Sequence, residues 1–385
     1  MFPFGYCTNV HAANSIAEIE NALRMYAVPI KAAVSPNGAM PIGLWINEKS
    51  LAELDNPATN KTFSDWLESQ GLVPKTLNGF PQGDFHQAVV KHRVYRPTWA
   101  ESARLEYTCR LAETHAALMR NHGTGTISTL PLGWVGQQDS AAFRVRCMEH
   151  LLKFAEFAES LEARTAFLSR LCLEPEPGCY LGNSHDMRVF LEELSSRLTQ
   201  AERQRAQRYL GICHDVCHAA VMFEDQAMEL SAFAALGFPV AKVQVSSALI
   251  ADFRRCESEG KRLQLASELK RFAEPKYLHQ TMIDGEHFFE DLPMAIERYP
   301  LSGEWRVHFH VPIFAAELTH GLGTTQKEIE HCLRLLGPRR SEIDWEIETY
   351  AWTVLPQTDS EKFNLAGGIE REFRWLNEKF QNINN

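Results

Sequence analysis

No stretch of this 385-residue chain approaches the roughly 20 consecutive apolar residues of a membrane-spanning helix. The opening run, Met1 to Tyr6, lacks the basic start and apolar core of a secretory signal. Both absences lead us to expect a cytoplasmic protein with no membrane span. No long basic run offsets the excess of 49 acidic over 39 basic residues, and the formal net charge is -10. A nucleic-acid partner gripped by its phosphates is therefore not expected. Glycine-rich dinucleotide and Walker fingerprints are missing, as is a Gly-x-Ser-x-Gly elbow, so neither a nucleotide cofactor nor a serine nucleophile is supported. No low-complexity linker or Gly/Ser hinge divides the chain. Nine cysteines, an odd number, are scattered from Cys7 to Cys332, which suits reduced, buried thiols. Cys213, Cys217 and His218 are spaced one residue too far apart for haem attachment.

What is present is a rhythm. Hydrophobic residues make up 45% and charged residues 23%, the balance of a globular enzyme. Short apolar, β-rich runs alternate with longer segments of helical spacing. The strand runs are Gly5 to His11, Pro41 to Ile46, Val73 to Phe80, Gly125 to Leu132, Thr165 to Leu173, Tyr209 to Asp215, Val240 to Val245 and Ile343 to Leu355. Helical patterns follow them, among them Glu101 to His122, Ala141 to Ala163, Ala219 to Leu236, Ser247 to Phe272 and Ser360 to Phe380. Eight strands, each followed by a helix, predict an α/β fold: one closed (β/α)8 TIM barrel over residues 1–385. The segment 277–314 breaks the rhythm with two β-like runs and is read as an insertion after strand seven.

In such a barrel the chemistry sits at the C-terminal ends of the strands. Those ends carry Asn9 and His11, Asn78, Trp134, Glu174 and Glu176, Asp215 and His218, Gln244, and Glu346 and Glu348. Asp215 and His218 stand three apart where a helix opens, so both can turn to one point. A carboxylate and a neutral imidazole converging there suit a divalent cation such as Zn, Mn or Mg. Alone, this pair equally fits a helix N-cap beside a histidine. Glu346 and Glu348 share a barrel-facing row, where a buried charge must be paired or bound to an ion. His308 and His310 alternate with Val307, Phe309 and Val311 and point to one face; a metal, a substrate and a hydrogen-bonded core row are all open readings. Asn9, His11, Asn78 and Trp134 are candidates for a substrate wall.

The run Leu173-Glu174-Pro175, the Asp215-x-x-His218 pair and the run Ile347-Glu348-Thr349 resemble the xylose-isomerase-like TIM barrel superfamily of sugar isomerases and epimerases, which also has a metal-dependent endonuclease branch. The resemblance places Glu174, Asp215, His218 and Glu348 on ligand or near-ligand positions. At strand seven, where that superfamily commonly has a His ligand, this chain has Gln244, and the inserted His308 or His310 is an alternative. A second resemblance covers nearly the whole chain. The motifs Gly5 to His11, Thr76 to Pro81, Val94 to Pro97, Ser128 to Trp134, Leu173 to Gly178 and Val307 to Pro312 are similar to the EboE-type metabolite traffic family.

Together these readings predict a metal-dependent isomerase or epimerase for a polyhydroxylated small metabolite. The metal set is Glu174, Asp215, His218, Gln244 and Glu348; the catalytic set is Glu174, Glu348 and His218; the substrate set is Asn9, His11, Asn78, Trp134, His308 and His310. A non-catalytic carrier of a metabolite is the alternative, and a metal-dependent hydrolase the second. A homodimer through the Ala141 to Ala163 helix and contacts with other proteins of the same pathway remain open.

Overall fold

The structure, a computed structural model, describes residues 2–83, 90–120, 123–136, 141–353, 355 and 365–382. Seven of its strands come first: β1 (Phe4–Tyr6), β2 (Met40–Trp45), β3 (Leu72–Asn78), β4 (Gly123–Thr129), β5 (Phe167–Leu173), β6 (Leu210–Asp215) and β7 (Val240–Val245). Five short strands follow, β8 (Leu249–Asp252), β9 (Thr281–Ile283), β10 (His287–Phe289), β11 (Glu304–Val307) and β12 (Gly323–Thr324), and then β13 (Asp344–Ile347). Strands β2, β6 and β7 are buried along their whole length, as strands covered on both faces must be. β1 to β7 and β13 pair in parallel in the order β1-β13-β7-β6-β5-β4-β3-β2, and a Cys7–Gly43 bridge links the two ends. With helices between the strands, this is a (β/α)8 TIM barrel. No helix of the described residues is long and apolar enough to cross a membrane.

The barrel interior is polar in places. Glu346 on β13 reaches across to Lys242, whose Nζ lies 3.4 Å from Oε2, while Asn78 Nδ2 donates to its Oε1 at 2.8 Å. Thr76 also donates to it. Lys242 Nζ donates further to Asn78 Oδ1 at 2.9 Å and to Ser128 Oγ at 3.2 Å. Gly43 faces this carboxylate, and a Cβ there would overlap it.

The five antiparallel strands form a separate sheet in the order β10-β9-β11-β8-β12. Its first strand lies inside the expected helix Ser247 to Phe272, which instead begins at Glu259 after a Ser258 cap. The reason is local: along β8, Leu249 and Ala251 are buried while Ile250 and Asp252 are half-buried, a period of two. The chain leaving β11 returns to the barrel, where Val311 N–H donates to Ser247 O at 3.0 Å. The expected Ala219 to Leu236 helix is two, Val216–Val221 and Gln226–Leu236, separated where Phe223 takes a φ of 55°. Asn121 and His122, and residues 360–364 of the expected last helix, lie outside the described residues.

Candidate metal centre

A cavity of about 80 Å³ opens at the C-terminal ends of the parallel strands. Among its lining are Asn9, Glu174, Glu176, His218, His308 and Glu348. Glu174 follows β5, where its N–H is tied to Thr129 O at 3.1 Å. Asp215 ends β6 and caps the next helix: Oδ1 accepts from His218 N–H at 2.8 Å and from Ser246 Oγ at 2.9 Å. The cap geometry that could have been a purely local device also turns the His218 ring inward, its Nε2 4.0 Å from Asp215 Oδ2. Glu348 follows β13, its Oε1 accepting from Asn9 Nδ2 at 2.8 Å.

Glu174, Asp215 and Glu348 each offer an oxygen, all within 4.8 Å of one another and all buried. Among the described residues no lysine or arginine ion pair reaches any of the three: Lys242 is paired with Glu346, and the cavity-lining Lys91 with Asp291 at 2.7 Å. Asp215 Oδ2 is buried without a hydrogen-bond partner among the described residues. Ligand bonds of about 2.0–2.2 Å put carboxylate oxygens around one ion within about 4.4 Å of each other. The observed spread needs only a small side-chain adjustment, so these residues fit a divalent cation.

The electrostatics agree. Burial pushes the Glu174 carboxyl up to about 7, with His218 pulling down and Asp215 pushing up. Burial and then the charges of Glu174 and Asp215 raise Glu348 well above the carboxylate range. Burial opposes ionisation of Asp215 too, but His218, His310 and two hydrogen bonds outweigh it and hold that carboxyl low. For His218 burial is outweighed by Asp215, Glu176 and Glu174, which raise it. Burial, His218 and His310 hold His308 well down, and burial brings His310 to about 4.

The other sequence candidates divide. His308 and His310 line the cavity, and His310 Nε2 lies 3.9 Å from Asp215 Oδ2. Gln244 donates from Nε2 to Asn78 Oδ1 at 3.1 Å, while its buried Oε1 has no partner among the described residues. Asn78 lines the cavity but spends its amide on Glu346, Lys242, Ser128 and Gln244. His11 and Trp134 are not among the lining residues: His11 bonds Tyr6 and stacks on Tyr26, and Trp134 packs on Tyr95. Two participants were not expected from the sequence. Lys242 shares a strand face with Gln244, a signal that period two supplies. Tyr95 Oη donates to Glu176 Oε1 at 2.6 Å, and no local pattern marks it. Gln280, on the run that pairs beside His308, donates from Nε2 to the same oxygen at 3.1 Å.

Comparison with solved structures follows from this geometry. The chain is similar to a D-tagatose 3-epimerase-like protein, with 12% identity, a TM-score of 0.52, and 99% of this chain and 98% of that one covered. It is also similar to a xylose isomerase-like TIM barrel protein from Mycobacterium smegmatis solved in complex with magnesium, at 10% identity and a TM-score of 0.55, over 100% and 98% of the two chains. No protein-family model and no curated protein matches the sequence. At these identities the likeness shows a shared fold.

Proposed function

We propose that the protein is a divalent-metal-dependent isomerase or epimerase acting on a polyhydroxylated small metabolite. The observation that carries this reading is the convergence of the buried Glu174, Asp215 and Glu348 carboxylates at the cavity that opens at the strand ends, with no lysine or arginine ion pair to any of them among the described residues. Glu174, Asp215 and Glu348, joined by His218 and Gln244, would hold the ion. When bound, it would polarise neighbouring carbonyl and hydroxyl oxygens of the substrate. Glu174 takes a carbon-bound proton, and Glu348 returns one to the other face. His218 serves as ligand or as a base beside them. Asn9 orients Glu348, and its Oδ1, buried without a partner among the described residues, is available to a substrate hydroxyl.

In this reading residues 1–385 act as one domain, with 277–314 an insertion that supplies His308 and His310. An EboE-type role in metabolite traffic is supported by the sequence motifs alone. The test is proton exchange with solvent. Chelator-stripped protein reloaded with Mn or Mg, then incubated with a panel of ketoses in heavy water, should place deuterium on the carbon beside the carbonyl. Glu348→Gln should abolish formation of the labelled, converted product; a variant with full turnover would sink the assignment. Tight binding of a metabolite without conversion, unmoved by chelator, would favour the carrier alternative.

A further inference from the structure

One wall of the cavity is made of hydrogen-bond acceptors. His218 Nδ1 lies 2.8 Å from Pro175 O, and His310 Nδ1 lies 2.8 Å from Glu348 O. A backbone carbonyl can only accept, so both Nδ1 atoms carry hydrogen. His308 Nδ1 lies 2.8 Å from Gln280 Oε1. The amide of Gln280 cannot be reversed, because its Nε2 faces Glu176 Oε1 at 3.1 Å and Pro177 O at 3.2 Å, both acceptors. His308 Nδ1 therefore also carries hydrogen, and in all three neutral rings Nε2 is left as a lone pair.

Glu176 stands beside these lone pairs. Tyr95 Oη and Gln280 Nε2 both donate to its Oε1, which fixes the carboxylate in place. Its Oε2 is buried without a partner among the described residues, and the residue as a whole is 5% exposed. Glu176, His218 and His308 bring one oxygen or nitrogen each to within 4.8 Å of one another, and His310 Nε2 is 3.2 Å from His308 Nε2. A proton added to His218 would serve His308, 3.1 Å away, and still leave His310 Nε2 and Glu176 Oε2 without a donor. The charge has the same sense. Lys91 is the one lysine or arginine in the described lining, and it is held by Asp291 at 2.7 Å, so a phosphate finds no cation there. Phe80, Tyr95, Tyr277 and Tyr350 line the same space in two pairs, with centroids 5.6 and 5.3 Å apart. Aromatic rings attract an organic cation.

We infer that Glu176, with the Nε2 atoms of His218, His308 and His310 beside it, recognises an amine, so that the substrate is a polyol bearing a primary ammonium group and no phosphate. An ammonium has three donors and no acceptor, the complement of this wall. A hydroxyl in its place supplies one donor, turns its own lone pairs toward acceptors and brings no charge to meet Glu176. Buried acceptors left unpaired in this way are what lets a polar pocket reject the analogue that lacks a donor. The polyol part of the inference rests on the function proposed above; the amine part stands on the acceptors.

The experiment is calorimetric binding to the full-length protein at neutral pH, with and without added Mn(II). Glucosamine, fructosamine and scyllo-inosamine are each compared with glucose, fructose and scyllo-inositol, and glucose 6-phosphate is the anionic control. At least one amine should bind roughly 10- to 100-fold tighter than its hydroxyl partner, the factor that one hydrogen bond to a charged group carries. Glucose 6-phosphate should bind no better than glucose. Glu176→Gln sets an N–H donor among the acceptors and should erase the preference. Glu176→Asp keeps the charge but withdraws it by a methylene and should reduce the preference; it decides the matter if Glu176→Gln does not fold. No amine ahead of its partner, a preference that either substitution leaves intact, or tighter binding of the phosphate ester overturns the subsite. Stoichiometric Zn(II) in wild type, lost in Glu176→Gln and accompanied by no amine preference, gives these acceptors to a metal and overturns it too. An amine preference in a protein that exchanges no proton upholds the subsite and removes the isomerase reading. Proton exchange from fructose without an amine preference does the reverse.

Discussion

Lys242 Nζ lies 3.4 Å from Glu346 Oε2 in the barrel interior, where both side chains are almost fully buried. This pairing separates two glutamates that stand two residues apart. Glu346 has its cation from the protein; Glu348 makes no ion pair with a lysine or arginine among the described residues and lines the cavity. Removing one member of a buried pair strands the other charge, which costs about 3–5 kcal/mol. Lys242→Met should therefore lower the unfolding free energy by about that amount in denaturant titration, and adding Glu346→Gln should recover part of it. A Lys242→Met protein of wild-type stability would contradict the pairing.

Gly43 should be intolerant for the same reason. A methyl group there overlaps the Glu346 carboxylate, so Gly43→Ala should destabilise by about 1–3 kcal/mol, the usual cost of overpacking. Combining it with Glu346→Ala should give less than the sum of the single effects, since the two groups contend for one space. Strict additivity in a double-mutant cycle would refute the contact.

Asn9 acts on the proposed ion through Glu348. Asn9→Ala removes the donor to Oε1 and should weaken Mn(II) binding roughly 10- to 100-fold while leaving the melting temperature nearly unchanged. Electron paramagnetic resonance of free Mn(II) measures this directly. Unaltered affinity would show that Glu348 needs no such support.

Glu174 predicts a pH dependence. Its carboxyl is raised from 4.5 to about 7 in the folded state, so the native protein holds more protons than the unfolded chain between those values. The metal-free protein should lose stability as pH rises from about 4.5 through 7. A cation needs the ionised form, so divalent affinity should climb over the approach to pH 7 and level off above it. Glu174→Gln should flatten both trends. A melting temperature of metal-free protein that does not fall between pH 5 and 8 would contradict this.

Much of this architecture was legible because it is periodic. The eight parallel strands announce themselves as short apolar runs between helical ones, and the Val240 to Val245 strand falls where its pattern places it. That Glu174, Asp215 and Glu348 come close together was legible because each ends or directly follows a parallel strand, and those strand ends share one mouth. The helix expected from Ser247 fails because Leu249 to Asp252 is too short for its period of two to outweigh the helical spacing that follows. Lys242 was hidden by its type: a lysine on a strand reads as solvated until a Glu346 from the far end of the chain is known to face it. Tyr95 belongs to no local pattern; only the fold brings it to Glu176. His11 and Trp134, expected at strand ends, lie beyond β1 and β4 in the loops that follow them, where His11 stacks on Tyr26 and Trp134 packs on Tyr95, and neither lines the cavity.

The oxygens that hold the Nδ1 atoms of His218, His308 and His310, those of Pro175, Gln280 and Glu348, lie 43, 28 and 38 residues away along the chain from the rings they hold. Each such loop must close before its ring is oriented, so the arrangement belongs to the folded chain alone. An unfolded chain offers loose histidines and no cradle. On the metal reading proposed above, the shape and donor type of the finished fold, rather than the affinity of a flexible chain, would decide which ion stays.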